Sequence, residues 1–310
     1  MPRIPGRPAW VARSSARWGS ARLGGMTAPA APVYAFDQAL VVRAGSQPGE
    51  RYAEFDDQWR IGNGVHGGLL LALGAAALRI ELDGAGRHPD PVAFSAVFPT
   101  ASVPGHVVLQ SEVLRAGASL SQAQVRLLQP AADGSVDERM RAVALFGDLG
   151  KRAEPVLKTA AAPAIPGPDD CVGSDGAIDF LAHSTLLDRM DIRLTPETAG
   201  WAAGKPSGAG VLHGWVRFAD GREPDVLSVL WALDAMPPVA FDLGLYGWTP
   251  TLEFSAHLRA HPAPGWLQVE LTTQTVVGGL MEEDARIWDS TGRLVGQSRQ
   301  LCGWRVPAPR

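Results

Sequence analysis

Apolar and polar residues show the same order twice along the chain: an apolar segment of helical length comes first, and segments with alternating residues follow. The helical segments cover residues 65–80 and 226–236. The most apolar run, LLLALGAAAL at 69–78, is about half of the roughly 20 residues that a membrane span needs, so it predicts a core helix. TLEFSAHLRA at 251–260 has a period of two, which predicts a strand with one buried face. Its apolar positions are Leu252, Phe254, Ala256 and Leu258, and its polar positions are Thr251, Glu253, Ser255 and His257.

The segment VLSVLWALDAMPPVAF at 226–241 contains a single charged residue, Asp234. Asp225 is the expected N-cap of this helix, and Pro237 and Pro238 cannot continue its hydrogen bonds. Asp234 is then expected on the helical stripe that faces the core, near the C-terminal end. Burying an isolated carboxylate costs several kcal/mol, so Asp234 must be paired, exposed or retained for chemistry.

The two halves of the chain resemble each other on either side of a Pro/Ala/Gly-rich segment at 151–176, which we interpret as a linker. FSAVFPTASVPGHVVLQ at 94–110 and FSAHLRAHPAPGWLQVE at 254–270 share Phe-Ser-Ala and a Pro-Gly turn, with an offset of 254 − 94 = 160. Two copies of one supersecondary unit explain the match. Each copy is a helix followed by an antiparallel sheet. The sequence therefore predicts an α+β chain with a first unit at 37–150 and a second unit at 177–310.

Residues 1–36 contain no acidic residue and are rich in Pro, Gly, Ala, Ser and Arg. This composition cannot bury a core, so we expect a disordered N-terminal tail. A targeting peptide is the alternative that the same composition leaves open, although the apolar centre of a secretory signal is missing.

Composition and charge exclude several classes of partner. The formal net charge is −4 with a pI of about 6.0, and no run of Lys or Arg is present, so we expect no nucleic-acid partner. No apolar run is long enough for a membrane span. The two cysteines, Cys171 and Cys302, lie far apart, which suits a reducing compartment and argues against a disulfide or a thiolate metal site. We expect a cytoplasmic protein.

The segment GNGVHG at 62–67 fits the glycine pattern of dinucleotide-binding loops. The preceding EFDDQWRI is not a buried apolar strand, and an antiparallel unit excludes a doubly wound sheet, so we reject that interpretation. The glycines instead predict a tight turn into a helix whose first N–H groups can donate to a ligand oxygen.

No GxSxG motif is present, and His257 and His261 do not share a helical turn. We expect no nucleophile elbow, no metal and no cofactor.

Five segments together resemble the acyl-CoA thioesterase II family, the double-hotdog thioesterases, over about residues 37–305. They are GNGVHGGLLLAL, VLRAGASLSQAQVRLLQ, WALDAMPPVA, TPTLEFSAHLRA and DSTGRLVGQSRQLCGWR. The resemblance implies two tandem hotdog units that form one continuous antiparallel sheet around central helices. It also implies an acyl-CoA substrate, a place in fatty acid metabolism and a homodimer. One departure is His66, since an apolar residue precedes the glycine pair in the family.

The resemblance also implies the catalytic residues. In the family an Asp, a Thr or Ser, and a Gln hold the water that hydrolyses the thioester, and these fall here on Asp234, Thr251 and Gln300. Asp234 is the implied general base or orients the water, and the other two hold it by hydrogen bonds. A backbone N–H near Gly67 or Gly68 is expected to stabilise the oxyanion.

The internal repeat provides a check on this assignment. Subtracting 160 from Asp234 and Thr251 leads to Gly74 and Pro91, and subtracting the 158 that separates the turn glycines at 292 and 134 from Gln300 leads to Ala142. None of these three residues can do the proposed chemistry. We therefore expect one active site per chain, in the second unit.

Two other functions remain open from the sequence. A hydratase or dehydratase of acyl thioesters usually places a His beside an acidic residue, and the helix of the second unit contains no His. A non-catalytic protein that binds acyl thioesters or lipids would use Asp234 only to complete a buried polar network. Release of free thiol from acyl-CoA distinguishes the hydrolase from both.

Overall fold

The structure, a computed structural model of the chain, describes residues 32–83, 88–131, 133–152, 154–173 and 184–304. Residues 1–31 of the predicted tail lie outside the described residues. Within those described ranges, no helix is both long and apolar enough to cross a membrane.

The described residues form three α-helices: α1 Ala35–Ala39, α2 Gly67–Asp83 and α3 Val226–Ala232. The strands of the first unit are β1 Arg43–Ala44, β2 Glu50–Phe55, β3 Arg60–Ile61, β4 Gly64–Val65, β5 Asp90–Val97, β6 Gly105–Ala116, β7 Ser121–Pro130 and β8 Val136–Gly147. The strands of the second unit are β9 Val172–Gly173, β10 Met190–Leu194, β11 Val211–Phe218, β12 Thr251–Leu258, β13 Leu267–Thr272, β14 Val276–Val277, β15 Leu280–Trp288 and β16 Leu294–Gly303.

Fourteen of these strands form one antiparallel sheet in the order β1-β2-β6-β7-β8-β5-β12-β16-β15-β13-β11-β10-β9, with β14 paired to β15. The order β2-β6-β7-β8-β5 in the first unit is mirrored by β12-β16-β15-β13-β11 in the second. Helix α2 packs on β5 to β8, and α3 packs on β12, β16 and β5. The predicted α+β double hotdog, with one continuous sheet around central helices, is confirmed.

The two units join where β5 pairs with β12, and Ser95 and Ser255 lie at the middle of this pairing. These residues lie opposite each other, and the Ser255 hydroxyl donates to the Ser95 hydroxyl at 3.1 Å. Their numbers differ by 255 − 95 = 160, the offset of the repeat. Each serine is therefore paired with its own counterpart, which places a pseudo-two-fold axis at the centre of the sheet.

Both predicted helices are present, with shifted ends. Helix α2 covers Gly67–Asp83, where the pattern predicts 65–80. Helix α3 begins as predicted: Asp225 Oδ1 accepts the Ser228 N–H at 2.8 Å, and the Ser228 hydroxyl oxygen accepts the Asp225 N–H at 2.7 Å. These reciprocal bonds form a capping box, which satisfies N–H groups that the helix itself cannot.

Helix α3 ends at Ala232, before the predicted residue 236. Continuing it would require N–H donors at positions 237 and 238, and Pro237 and Pro238 have none. Asp234 lies in the turn after the helix, where its N–H donates to the Trp231 carbonyl at 3.2 Å. The prediction that Asp234 lies on the helical stripe is therefore wrong.

The folded chain begins before residue 37. Phe36 in α1 is fully buried, and its ring centroid lies 4.9 Å from that of Phe218 and 5.9 Å from that of Trp231. The N–H of Ala35 donates to Asp220 at 2.9 Å. A composition argument does not detect one aromatic anchor in a Pro/Ala-rich segment, so the predicted tail extends too far at its C-terminal end.

The predicted linker crosses the second unit as an extended strap. Carbonyl oxygens of every third residue accept hydrogen bonds from side chains on three adjacent strands, which matches the three-residue turn of a polyproline II helix. The acceptors are Ala160, Pro163 and Pro166, and the donors are Trp288, Gln268 and Trp215, at 3.0, 2.7 and 2.9 Å. Strand β9 lies within the predicted linker and already pairs with β10, so the sheet of the second unit begins before residue 177.

We expect Gly74→Ala to destabilise the protein by about 1–2 kcal/mol without changing its chemistry. A Cβ atom there would lie 2.8 Å from Met140 Cε and 3.2 Å from Val125 Cγ1, in a part of the core that is fully buried. Urea unfolding would measure the change. Unchanged stability would show that this contact between α2 and the sheet can relax.

Candidate active site

A cavity of about 490 Å³ lies where the N-terminus of α2 meets the turn after α3. Much of its wall is apolar and includes Leu70, Phe98, Met236 and Trp248. Its polar side chains include His66, Asp234, Thr251, Glu283 and Gln300. An apolar cavity with a few polar groups is the usual form of a small-molecule site.

Asp234 meets Gly67 and Gly68 at the junction of the two units. Its Oδ2 lies 2.8 Å from the position that a Cβ atom on Gly67 would occupy, so a side chain there would displace the carboxylate. The N–H of Gly68 donates a hydrogen bond to this carboxylate. The N-terminus of α2, whose first N–H groups lack helical partners and whose dipole end is positive, therefore holds the anion.

Burial raises the pKa of the Asp234 carboxyl to about 7, and the hydrogen bond from Gly68 opposes this rise. Only 12% of the side chain is accessible. A carboxyl group with a pKa near neutrality accepts a proton more readily than an ordinary Asp does. Asp234 therefore has the properties of a general base for chemistry near neutral pH.

His66 contacts Asp234 from the first unit. Its Nε2 lies 2.7 Å from the Asp234 main-chain oxygen and 3.4 Å from Oδ2. A carbonyl oxygen only accepts, so Nε2 carries the proton and Nδ1 is unprotonated. Burial lowers the pKa of His66 to about 4, and Nδ1 is buried without a partner among the described residues. The second-unit helix contains no His, as the sequence shows, but the fold supplies one from the other unit.

Thr251 reaches the cavity through a β-bulge. The alternation of residues 251–258 predicts Thr251 on the polar face together with Glu253. The register shifts between these two residues: Thr251 lies opposite the buried Cys302, and Glu253 lies opposite the exposed Leu301. A bulge turns a side chain to the other face of a sheet. The predicted face of Thr251 is therefore wrong, and Leu252 is 39% exposed.

Thr251, Gln300 and Glu283 form a chain of hydrogen bonds in the cavity wall. The Thr251 hydroxyl donates to Gln300 Oε1 at 2.6 Å, and Gln300 Nε2 donates to Glu283 Oε1 at 2.6 Å. Glu283 Oε2 accepts the N–H of Val239 at 2.7 Å. Burial raises the pKa of Glu283 to about 7, and the nearby charge of Asp234 acts in the same direction.

Cys302 lies beside this chain and is buried. Burial raises the pKa of its thiol strongly, and the charges of Glu283 and Asp234 raise it further. The thiolate is the reactive form of cysteine, so this thiol is not an activated nucleophile.

The first unit lacks this constellation. Gln300 lies opposite Phe254, and Ala144 lies opposite Phe94, the repeat counterpart of Phe254. The residue equivalent to Gln300 is therefore Ala144, and the predicted Ala142 is wrong. The β7–β8 hairpin is longer than β15–β16, so the offset is 160 before the turn (283 − 123) and 156 after it (300 − 144).

The structure brings four of the five predicted site residues into one cavity wall: Gly67, Asp234, Thr251 and Gln300. The fifth, Gly68, is not part of this wall, and its backbone N–H contacts Asp234. Two further wall residues, His66 and Glu283, were not predicted as part of the site. Both carry a signal in the sequence, because each is a polar residue in an apolar pattern: Glu283 lies between Met281 and Ala285, which are buried on the same face of β15.

Two family models match the chain in tandem. The acyl-CoA thioesterase N-terminal domain matches residues 55–147, and the acyl-CoA thioesterase C-terminal domain matches residues 161–303. These ranges contain most of the strands of the first and second units.

Several bacterial proteins are similar to this chain. An uncharacterised protein of Mycobacterium tuberculosis is 34% identical over 277 residues, which cover 82% of this chain and 90% of that protein. A candidate thioesterase II of Thermobifida fusca is 30% identical, with a TM-score of 0.78, and the match covers 89% of this chain and 99% of that chain. A hot dog protein of Alicyclobacillus acidocaldarius has the same fold at 18% identity, with a TM-score of 0.73 and coverage of 89% and 100%. By these matches, the chain belongs to the acyl-CoA thioesterase family with two tandem hotdog units.

Proposed function

We propose that this protein hydrolyses acyl-CoA thioesters to a free acid and CoA, with water activated by Asp234 as the nucleophile. The observation that carries the proposal is the carboxylate of Asp234, only 12% accessible, together with the oriented hydroxyl of Thr251 in the wall of an apolar cavity. A thioester carbonyl is reactive enough for a positioned water to attack it directly. Membership of the family supports the class of reaction.

The hydrogen bonds of the wall define how a water molecule would be held. The proton of the Thr251 hydroxyl is donated to Gln300, so the Thr251 oxygen offers lone pairs to the cavity. Asp234, when ionised, is a second acceptor. A water that donates one proton to each presents its own lone pair to the thioester carbon. Groups held in this way need no rearrangement during the attack.

Proton transfer then begins at Asp234, because its raised pKa favours acceptance of a proton. Asp234 takes the proton of the attacking water, a role that typically contributes about 10²- to 10⁴-fold to the rate. The carbon–sulfur bond breaks as the oxyanion collapses, and Asp234 passes the proton that it took from water to the leaving sulfur, which gives the CoA thiol and restores the carboxylate.

The N-terminus of α2 supplies the oxyanion site in this proposal. Gly67 lines the cavity and belongs to the first helical turn, where N–H groups have no helical partner. Gly68 donates to Asp234 and holds the base. The two glycines then have different roles, one toward the substrate oxygen and one toward the carboxylate.

A second candidate function is addition of water to a 2-enoyl thioester, and the contact between His66 and Asp234 favours it. That chemistry needs a His that moves a proton at the substrate. Here Nε2 donates to a main-chain carbonyl, so hydrolysis is the better fit. Loss of enoyl absorbance from a 2-enoyl-CoA, without release of thiol, would favour the second candidate.

Asp234→Asn is expected to reduce thioester hydrolysis by about 10²-fold or more while acyl-CoA binding survives, because the amide keeps the shape but cannot accept a proton. Thiol release from a panel of acyl-CoAs of different chain lengths measures the first effect. Calorimetry with a thioether analogue measures the second.

Asp191→Asn is the matched control, since Asp191 pairs with Arg193 on β10 and lies outside the cavity wall. Near-normal turnover by Asp234→Asn in a folded protein would contradict the assignment.

Thr251→Val and Gln300→Ala should each lower kcat more than they raise KM, because both residues are proposed to hold the water and not the acyl chain. Combined with Asp234→Asn, they should add little further loss, since the three act as one unit. Steady-state kinetics of the single and double variants would show this. Effects confined to KM would place both residues in substrate binding.

Asp234→Asn is also expected to stabilise the fold at high pH. The folded-state pKa of about 7 exceeds the ordinary value of 3.8, so the unfolded chain ionises first, and the native state loses stability as the pH rises from 3.8 to about 7, above which the loss is complete. The gain in the free energy of unfolding should be largest near pH 8 and smaller near pH 5, at about 1.4 kcal/mol per pKa unit. Urea unfolding at both pH values measures it. Equal gains at the two values would contradict this interpretation.

A further inference from the structure

Glu283 is a buried carboxylate whose partners are both neutral. It is 5% exposed, on the inner face of β15, and its oxygens accept from Gln300 Nε2 and the Val239 N–H. Among the described residues, no cation pairs with it. A buried anion held by neutral donors destabilises a fold, so packing alone does not explain a Glu at this position.

The repeat shows what packing requires at this position. Ala123 is the counterpart of Glu283, and it lies opposite Ala144 as Glu283 lies opposite Gln300. Two small apolar residues therefore complete the same part of the sheet in the first unit. The second unit has a Glu and a Gln there, at the cavity wall.

The direction of each hydrogen bond follows from Glu283. An ionised carboxylate only accepts, so the Gln300 amide must direct its nitrogen toward Glu283 and its oxygen toward Thr251. The Thr251 hydroxyl must then donate to that oxygen, as observed at 2.6 Å. Without Glu283, the Gln300 amide could turn over, and the hydroxyl of Thr251 would reverse with it.

We propose that Glu283 is a positioning residue that fixes the amide of Gln300 and, through it, makes Thr251 an acceptor for the hydrolytic water. This inference rests on the proposed thioester hydrolysis. Glu283 acts only through Gln300 and Thr251 and takes no proton from the substrate.

The charges around Glu283 provide a second readout. The charges of Asp234, in the turn after α3, and of Asp284, on β15, act on Glu283. The charge of Glu283 acts in turn on the thiol of Cys302 on β16, and His66 faces Asp234 from the first unit. Arg299 pairs with Asp284 at 2.6 Å and balances its charge. Removing the charge of Glu283 takes a negative group away from Asp234. The pKa of Asp234 should fall, and the acidic limb of kcat/KM should move to lower pH.

Glu283→Gln is the first test. The new amide offers one acceptor and one donor where two acceptors are needed, so Gln300 has to turn over and donate to Thr251. We expect kcat to fall roughly 10- to 100-fold with little change in KM, and the acidic limb to shift as stated. Glu282→Gln is the matched control, since Glu282 lies on the other face of β15 and bonds the Gln274 N–H.

The reciprocal variant Glu283→Gln/Gln300→Glu is the second test. Its Glu at 300 accepts from Thr251 and from the new amide, whose oxygen accepts from Val239, so the Thr251 and Val239 bonds keep their directions and only the bond between positions 283 and 300 is reversed. We expect most of the lost kcat to return on the high-pH plateau. A role of Glu283 in stability alone would not give this rescue.

The outcomes separate the two proposals. A wild-type protein that releases no thiol from any acyl-CoA overturns the proposed function and this inference with it. An active wild type with wild-type kcat in Glu283→Gln overturns the inference alone. If Glu283→Gln fails to fold, the reciprocal variant decides: an active one supports the inference, and a folded but inactive one overturns it.

Discussion

The contact between the N-terminus of α2 and the carboxylate of Asp234 is the interaction on which the site depends. A carboxylate in an apolar cavity needs hydrogen-bond donors. In its own unit, α3 ends before Asp234, and the two prolines that follow have no N–H to donate. The donor comes from Gly68, at the positive end of a helix in the other unit. Gly67 allows the approach, because a side chain there would occupy the space of Oδ2. The proposed base therefore lies where the two units meet.

The pseudo-symmetry of the sheet explains why such a junction forms. Ser95 and Ser255 pair across the axis, and the N-terminus of α2 lies against the end of the helix in the other unit. Symmetry alone would produce two sites. The chain has polar residues on one side only, since Gln300 and Glu283 have the counterparts Ala144 and Ala123. The first unit has an apolar core at these positions. The second unit has polar groups there, which line the cavity and lower the stability of the fold.

That loss of stability is electrostatic. Glu283 is buried and only 12% of the Asp234 side chain is accessible, and loss of solvent raises the pKa of each carboxyl group to about 7. Near neutral pH the cavity wall therefore holds two carboxyl groups close to their titration points, and the charge of Asp234 opposes ionisation of Glu283. A fold selected only for stability would place apolar residues at both positions, and a site that moves protons near neutral pH requires groups of this kind.

The sequence alone was sufficient for the repeated helix-and-sheet unit, both core helices, the N-cap at Asp225 and the isolated carboxylate Asp234, because these depend on the period of apolar residues and on local capping chemistry. Resemblance to the family added Thr251 and Gln300. Only the tertiary structure decided which face Thr251 occupies, because a single bulge reverses the alternation. It also decided that His66 and Glu283 belong to the site. Their polar character within apolar patterns is visible in the sequence, but their partners are 168 and 17 residues away, and only the pairing of strands and helices brings them together.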